Sequence, residues 1–191
     1  MSVAGQLDQL YQQVILDHYK QKHGHGLRGP EQTPDRAAVP DGDLVWAESR
    51  QVNPLCGDEV TLRVAVDTKG LVRDVAWTGE GCSISQASTS VLHDLVVDGR
   101  VDGARRRVDA FREMVRSRGT LEPDEELLGD GVAFAGVGRH ANRVKCAMLG
   151  WTAFEDALGR LTAGPPSRLG EGRAGARTTG AAAGVPDQEG S

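Results

Sequence analysis

The chemistry in this chain is concentrated in its three cysteines, Cys56, Cys82 and Cys146, and in one carboxylate, Asp58. Cys56 and Asp58 flank Gly57 in the stretch Asn-Pro-Leu-Cys-Gly-Asp (53–58). A glycine there lets the backbone turn and aim both side chains at one point. In an extended segment, residues two apart share a face in any case. Three thiolates and a carboxylate are enough for a four-coordinate zinc shell. The chain has no Cys-x-x-Cys pair, so spacing alone leaves two readings open. One is a metal site assembled from scattered ligands; the other is three buried, inert thiols.

Composition narrows the setting. The 191 residues suffice for one domain with a sizeable core and a tail. A net charge of -5 argues against broad binding to nucleic acid or anionic membranes. No apolar run approaches the roughly 18–20 residues needed to cross a bilayer, and the first residues lack the basic and apolar parts of a signal peptide. An odd cysteine count does not suit a secreted disulfide framework, so the expected location is the cytoplasm.

The elements that must position these side chains can be read from periodicity. Leu7, Leu10, Tyr11, Val14, Ile15, His18 and Tyr19 form the apolar stripe of a helix ending before Lys22-His23-Gly24-His25-Gly26. His18 reads as a packed core histidine. His23 and His25 read as residues of a glycine-rich turn, with metal ligation the lesser alternative. Residues 27–44 read as a loop. Strands follow at Val45–Val52, at Glu59–Asp67 with clear alternation, and at Leu71–Thr78, the last two joined by a hairpin turn at Thr68-Lys69-Gly70. Cys56 and Asp58 thus fall between the first and second strands. Cys82 follows the third strand and precedes a helix whose expected capping box is Ser83 with Gln86. A helix N-terminus favours a thiolate.

A further helix is expected over Asp102–Arg118, with Ala104, Val108, Phe111 and Val115 inward. Its outer face carries Arg105, Arg106, Arg107, Arg112, Arg116 and Arg118, which reads as a solvated face or as a docking surface for an acidic partner. Glu122–Asp130 requires only a short helix or turn. The last helix runs from about Arg139–Asn142 to Leu161, with Val144, Ala147, Trp151, Phe154 and Leu158 on its apolar face and Cys146 near its start. Residues 1–162 read as one domain, and 163–191, rich in Gly, Ala and Pro, as a disordered tail.

Four segments are more specific: LYQQVILDHYK (10–20), NPLCGD (53–58), GEGCSISQAS (79–88) and RVKCAMLGW (143–151). In that order they resemble the SufU/IscU family of iron–sulfur cluster assembly proteins, over roughly residues 7–160. The resemblance implies an α+β fold, a three-stranded antiparallel sheet with helices packed on one face. It further implies one zinc ion held by Cys56, Asp58, Cys82 and Cys146, and sulfur transfer from a SufS-type cysteine desulfurase to a downstream iron–sulfur scaffold. Cys56 would be the persulfide acceptor, freed when a histidine of the desulfurase takes its place on the metal, with Asp58 a labile oxygen ligand and Cys82 and Cys146 the anchors. Arg143 would orient the site or contact the partner, or is simply a surface arginine.

The alternative within the family is a scaffold that builds a [2Fe–2S] cluster on the same cysteines. In that branch a histidine precedes the third cysteine and a Leu-Pro-Pro-Val-Lys segment recruits a chaperone. Here Lys145 and Gly138-Arg139-His140-Ala141-Asn142 stand in those places, and the stretch between the second and third cysteines is longer. These departures point to the zinc branch. His140 is a poorly placed candidate ligand, six residues before Cys146. A third reading, from another class, makes the zinc purely structural and the domain a docking module.

Overall fold

Alternating valines and leucines in Glu-Val-Thr-Leu-Arg-Val-Ala-Val-Asp build the central strand of the sheet. The computed structural model describes residues 3–28, 43–163 and 167–168. Strands β1 (Leu44–Val52), β2 (Glu59–Asp67) and β3 (Val72–Glu80) form an antiparallel meander with β2 in the middle. Val60, Leu62 and Val64 of β2 join Val72, Val75 and Trp77 of β3 in the main core. The register positions the site. Val52 pairs with Glu59, and Glu59 with Glu80, so the Asn53–Asp58 loop and the Gly81-Cys82 step leave the same end of the sheet.

At the opposite end, buried Asp67 closes the β2–β3 hairpin. Its Oδ1 accepts the N–H groups of Lys69 and Leu71, each at 2.9 Å, and Arg73 pairs with Oδ2 at 2.7 Å. Gly70 takes the left-handed conformation that the turn requires, at φ +77°.

The helices are α1 (Val3–Gln21), α2 (Ser83–Val96), α3 (Val101–Arg116), α4 (Glu125–Leu128) and α5 (Ala141–Ala163), with a 3-10 segment at Gly129–Arg139. Helix α5 lies on β1 and β2, and α2 on β3. The result is the expected α+β arrangement. Helices α2 and α5 cross at very short range, because a Cβ on Gly150 would stand 2.3 Å from Thr89 Oγ1. Beside that crossing, Ser88 Oγ donates to the Ala147 carbonyl at 2.7 Å and accepts from Trp151 Nε1 at 2.8 Å. Trp151 in turn stacks on Phe111 of α3, with ring centroids 4.0 Å apart and planes 7° from parallel. Cys146 therefore rides on a helix pinned within a turn or two of it. Among the described residues, no helix is long and apolar enough to cross a membrane.

Several expectations need correction. The N-cap of α2 is Cys82, not Ser83, because the Cys82 carbonyl already accepts the Gln86 N–H at 3.2 Å. The Gln86 amide donates to the Gly81 carbonyl at 2.6 Å instead of completing a capping box. In α1, Leu7 and Leu10 are 45% and 58% exposed; the apolar stripe meets the core only from Tyr11 onward. The acidic stretch does form a short helix, capped by Asp124, whose carboxylate accepts the Leu127 N–H at 3.0 Å. The 3-10 segment after it, which buries Val132, Phe134 and Val137, was not expected. The tail expected over 163–191 lies mostly outside the described residues. Within it, Ala163 ends α5, and Ser167–Arg168 form a two-residue strand, β4, paired with Val45 and Trp46 at the edge of β1.

Candidate metal centre

The Asn53–Asp58 loop is a turn closed on itself. The Asn53 N–H donates to the Asp58 carbonyl at 2.8 Å, the Asn53 carbonyl accepts the Gly57 N–H at 2.9 Å, and Asn53 Oδ1 accepts the Leu55 N–H at 3.2 Å. Gly57 sits at φ +75°, in the region open to glycine. The turn leaves Cys56 exposed and buries Asp58 to 3% exposure. Cys146 reaches the same place from α5, with its Sγ 3.4 Å from that of Cys56. The ligand atoms of Cys56, Asp58 and Cys146 all lie within 4.8 Å of one another.

Cys82, the fourth expected ligand, stands beside them at the start of α2, but its Sγ falls outside the set that lies within 4.8 Å. Its N–H donates to Asp58 Oδ1 at 3.2 Å, while its exposed Sγ lies 3.8 Å from Ser85 Oγ. Gly81 makes this approach possible, since a Cβ there would sit 2.8 Å from the Asp58 carboxyl carbon. All three cysteines line a cleft of about 550 Å³, with Leu55, Asn142 and Arg143 around them. Asn53 and Ser85 belong to the site and were missed. Asn53 Nδ2 is 3.7 Å from Cys146 Sγ, and neither residue type carries a signal in sequence.

Electrostatically the cluster is incomplete. Asp58 Oδ2 is buried and has no hydrogen-bond partner among the described residues. Burial alone would raise the Asp58 pKa, but the polar groups around it (the Cys82 and Cys146 thiols, the Ser85 hydroxyl and the Cys82 N–H) outweigh burial and hold it below the ordinary carboxylate value. Cys146 is pushed strongly upward, first by burial and then by the Cys56 thiol and the Asp58 carboxylate beside it. A site that keeps a carboxylate ionised among three thiols, one of its oxygens bare, fits a thiophilic divalent cation in donor chemistry and in charge.

The other candidates separate cleanly. His18 is a core histidine, 5% exposed, hydrogen-bonded through Nδ1 to Ser90 at 2.9 Å and through Nε2 to Asp130 at 3.1 Å. His23 pairs with Asp94 at 2.5 Å and with Gln21 at 2.7 Å, whereas His25 stands edge-on to Trp77, centroids 4.8 Å apart. His18, His23 and Asp94 are close enough to hold an ion, but every ring nitrogen of the two histidines already has a partner. His140 caps α5 outside the cysteine cleft, and Lys145 faces a separate groove on another flank of α5.

The sequence profile of the NifU-like N terminal domain matches residues 10–159, which takes in every one of these cleft residues. The chain belongs to that family. It is 35% identical over 155 residues to a Streptococcus pyogenes protein named iron–sulfur cluster assembly scaffold protein IscU, covering 81% of this chain and 86% of that one. It is 33% identical over 165 residues to the Bacillus subtilis zinc-dependent sulfurtransferase SufU, covering 86% and 99%. Among solved structures, an iron–sulfur cluster assembly scaffold protein for the SUF system from Fervidobacterium islandicum AW-1 is similar at TM-score 0.59 and 31% identity, over 76% of this chain and 93% of that one. A NifU-like N-terminal protein of Brucella abortus shares the fold at TM-score 0.62 and 23% identity, over 78% and 92%. As a NifU-like N-terminal domain, the chain carries its cysteines at the three element ends just described.

Proposed function

We propose that this NifU-like domain accepts sulfur from the persulfide of a SufS-type cysteine desulfurase, with Cys56 as acceptor, and passes it to a downstream iron–sulfur scaffold. The carrying observation is the asymmetry of the site: an exposed Cys56 thiol beside a buried Cys146 and a carboxylate with one bare oxygen. Cys56, Asp58, Cys82 and Cys146 would hold zinc. Zinc supplies positive charge that keeps thiols ionised and orders the site.

The protein's own residues do the rest. The Cys56 thiolate attacks the outer sulfur of the incoming persulfide, forming a new S–S bond as the donor's S–S bond breaks. The donor cysteine leaves as a thiolate, and Cys56 keeps the sulfur as its own persulfide, with no oxidant or reductant consumed. Arg143, exposed on the cleft and unpaired among the described residues, places a cation beside the anionic donor. Cys82 and Cys146 act as anchors, and Asp58 is a labile oxygen ligand. The name of the Bacillus subtilis relative, matched over nearly its whole length, supports this reading.

The scaffold reading, a [2Fe–2S] cluster on the same cysteines, draws support from the name of the Streptococcus pyogenes relative. Against it stands Lys145, which takes the place of a histidine ligand and lines another groove. The test is alanine release from cysteine by the cognate desulfurase, with zinc-loaded wild type and with Cys56→Ala. Stimulation by the wild type alone supports transfer through Cys56. Its absence, with folded and zinc-loaded protein, returns the scaffold or a docking module. A Cys56→Ala protein that unfolds marks the residue as a structural ligand.

A further inference from the structure

Of the six arginines on or just past α3, the structure engages two. Arg107 Nε donates to the Leu127 carbonyl at 3.2 Å, and Arg112 pairs with Asp109 at 2.9 Å and also with Glu155. Arg116 and Arg118 are different. Both are exposed, make no hydrogen bond or ion pair among the described residues, and line a groove of about 450 Å³ with two more unpaired cations, Arg139 and Lys145. Its apolar wall includes Val144 and Met148, and among the described residues no carboxylate lines it.

The groove is built into the fold. Gly138 packs so tightly on the end of α3 that a Cβ there would lie 2.7 Å from the Val115 carbonyl. The Arg139 side chain lies over Gly119, where a Cβ would meet its Nε at 3.3 Å. Arg118 itself stands at φ +59°, fixing the turn that follows α3.

Four cations without an ion pair among the described residues, gathered on one groove of a chain of net charge -5, are a segregation of charge, although Arg116 also borders an adjoining groove that holds Asp109 and Glu113. Their placement adds a direction. The first turns of α5 have two flanks: Asn142, Arg143 and Cys146 line the cysteine cleft, while Ala141, Val144 and Lys145 line the groove. A protein that reaches over the start of α5 to Cys56 meets both.

The geometry points to a docking groove for an acidic segment of the sulfur-donating partner. This rests on the sulfur-transfer reading above. Carboxylates of that segment pair with Arg116, Arg118, Arg139 and Lys145, and its apolar side chains cover Val144 and Met148. Arginine favours such pairs because its planar fork meets a carboxylate with two donors. The groove supplies affinity and orientation, and the chemistry stays at the cysteines.

The test is an equilibrium titration of the zinc-loaded full chain with its cognate desulfurase, at about 50 and 500 mM salt, where the screening length falls from roughly 14 to 4 Å. The triple variant Arg116→Glu/Arg118→Glu/Lys145→Glu should bind at least about tenfold more weakly at low salt, with the gap closing at high salt. Its zinc content and melting temperature should match the wild type. Arg105→Glu/Arg106→Glu, elsewhere on the same helix, adds negative charge away from the groove and should stay within about threefold. Wild-type affinity in the triple variant overturns the groove and leaves the sulfur-transfer reading standing. Equal losses in both variants reduce the effect to net charge, and a loss that is independent of salt makes the contact apolar; either overturns an acidic partner. A wild-type protein that neither binds nor stimulates the desulfurase overturns both readings together.

Discussion

Gly150→Ala tests whether the α2–α5 crossing positions the metal centre. In an unconstrained helix this change stabilises by about 1 kcal/mol. Here the new Cβ would stand 2.3 Å from Thr89 Oγ1 and 2.9 Å from both Cβ and Cγ2 of the same residue. Rotating Thr89 cannot clear all three atoms. That side chain is also 1% exposed and donates to the Ser85 carbonyl at 2.8 Å. Overpacking at such a site typically costs 1–3 kcal/mol, and a contact this short belongs at the upper end. The net expectation is a loss of about 1–2 kcal/mol, or a melting temperature lower by roughly 2–8 °C for a chain of this size. The measurement is urea and thermal unfolding of zinc-free protein, so that metal linkage does not mask the effect. Thr89→Ala in the same chain should recover most of the loss, giving a coupling of at least about 1 kcal/mol. Because Cys146 lies one turn before Gly150 and Cys82 at the head of α2, Gly150→Ala should also weaken zinc binding in a chelator competition. A variant more stable than wild type by about 1 kcal/mol would refute the close crossing.

Other expectations follow from single atoms. Asp58→Asn should weaken zinc binding tenfold or more by chelator competition, and the apo protein should lose stability as well, because the groups that hold Asp58 ionised lose their charged acceptor; unchanged affinity removes Asp58 from the ligand set. Stripping zinc should lower the melting temperature by an amount that grows with the metal concentration used for the holo sample, and equal apo and holo values would mean that no folded-state site exists. Asp67 is buried, which alone would raise its pKa, but the Leu71 N–H, Arg73 and the Lys69 N–H together hold it below the usual carboxylate value. A depressed folded pKa gives stability that is present above the unfolded value near 3.9 and is lost as pH falls through the folded one. The stability gap between zinc-free wild type and Asp67→Asn should therefore be widest above about pH 5 and narrow as pH drops below about 4; a constant gap removes the charge from the account.

What was legible in the sequence was what short-range pattern encodes. Alternation in Val60, Leu62 and Val64 gave the central strand, and the spacing of Ala104, Val108, Phe111 and Val115 gave the buried face of α3. The three cysteines and Asp58 stood out as candidates because cysteine is scarce here and Cys-Gly-Asp is compact, but spacing left inert thiols open and the ligand set came from the family resemblance. The 3-10 segment was not, since glycine and alanine between Gly129 and Arg139 leave no helical stripe to detect. Nor was the start of α2. Cys82 carries no side-chain cap, and the helix begins there because strand β3 delivers its carbonyl to Gln86. The sorting of the arginines into paired and unpaired depends on Leu127 and Glu155, which are distant in sequence.

The same contrast bears on which cysteine can leave the site. Cys146 cannot move without shifting α5, whose Trp151 is sandwiched against Phe111 and bonded to Ser88. Cys82 is tied through its own N–H to Asp58 and through its carbonyl to the first turn of α2. Cys56 Sγ touches that of Cys146 at 3.4 Å, and among the described residues its backbone is held by the weak 3.4 Å contact of its N–H with the Asn53 carbonyl and by the neighbouring Gly57 bond. Breaking those two costs on the order of 0.5–1.5 kcal/mol each, with water ready to replace them at an exposed loop. Displacing a buried aromatic side chain costs more than either. Of the three thiols, Cys56 is the one least held by the fold, which is what the proposed acceptor role requires if it is to swing toward a partner while the other candidate ligands stay where they are.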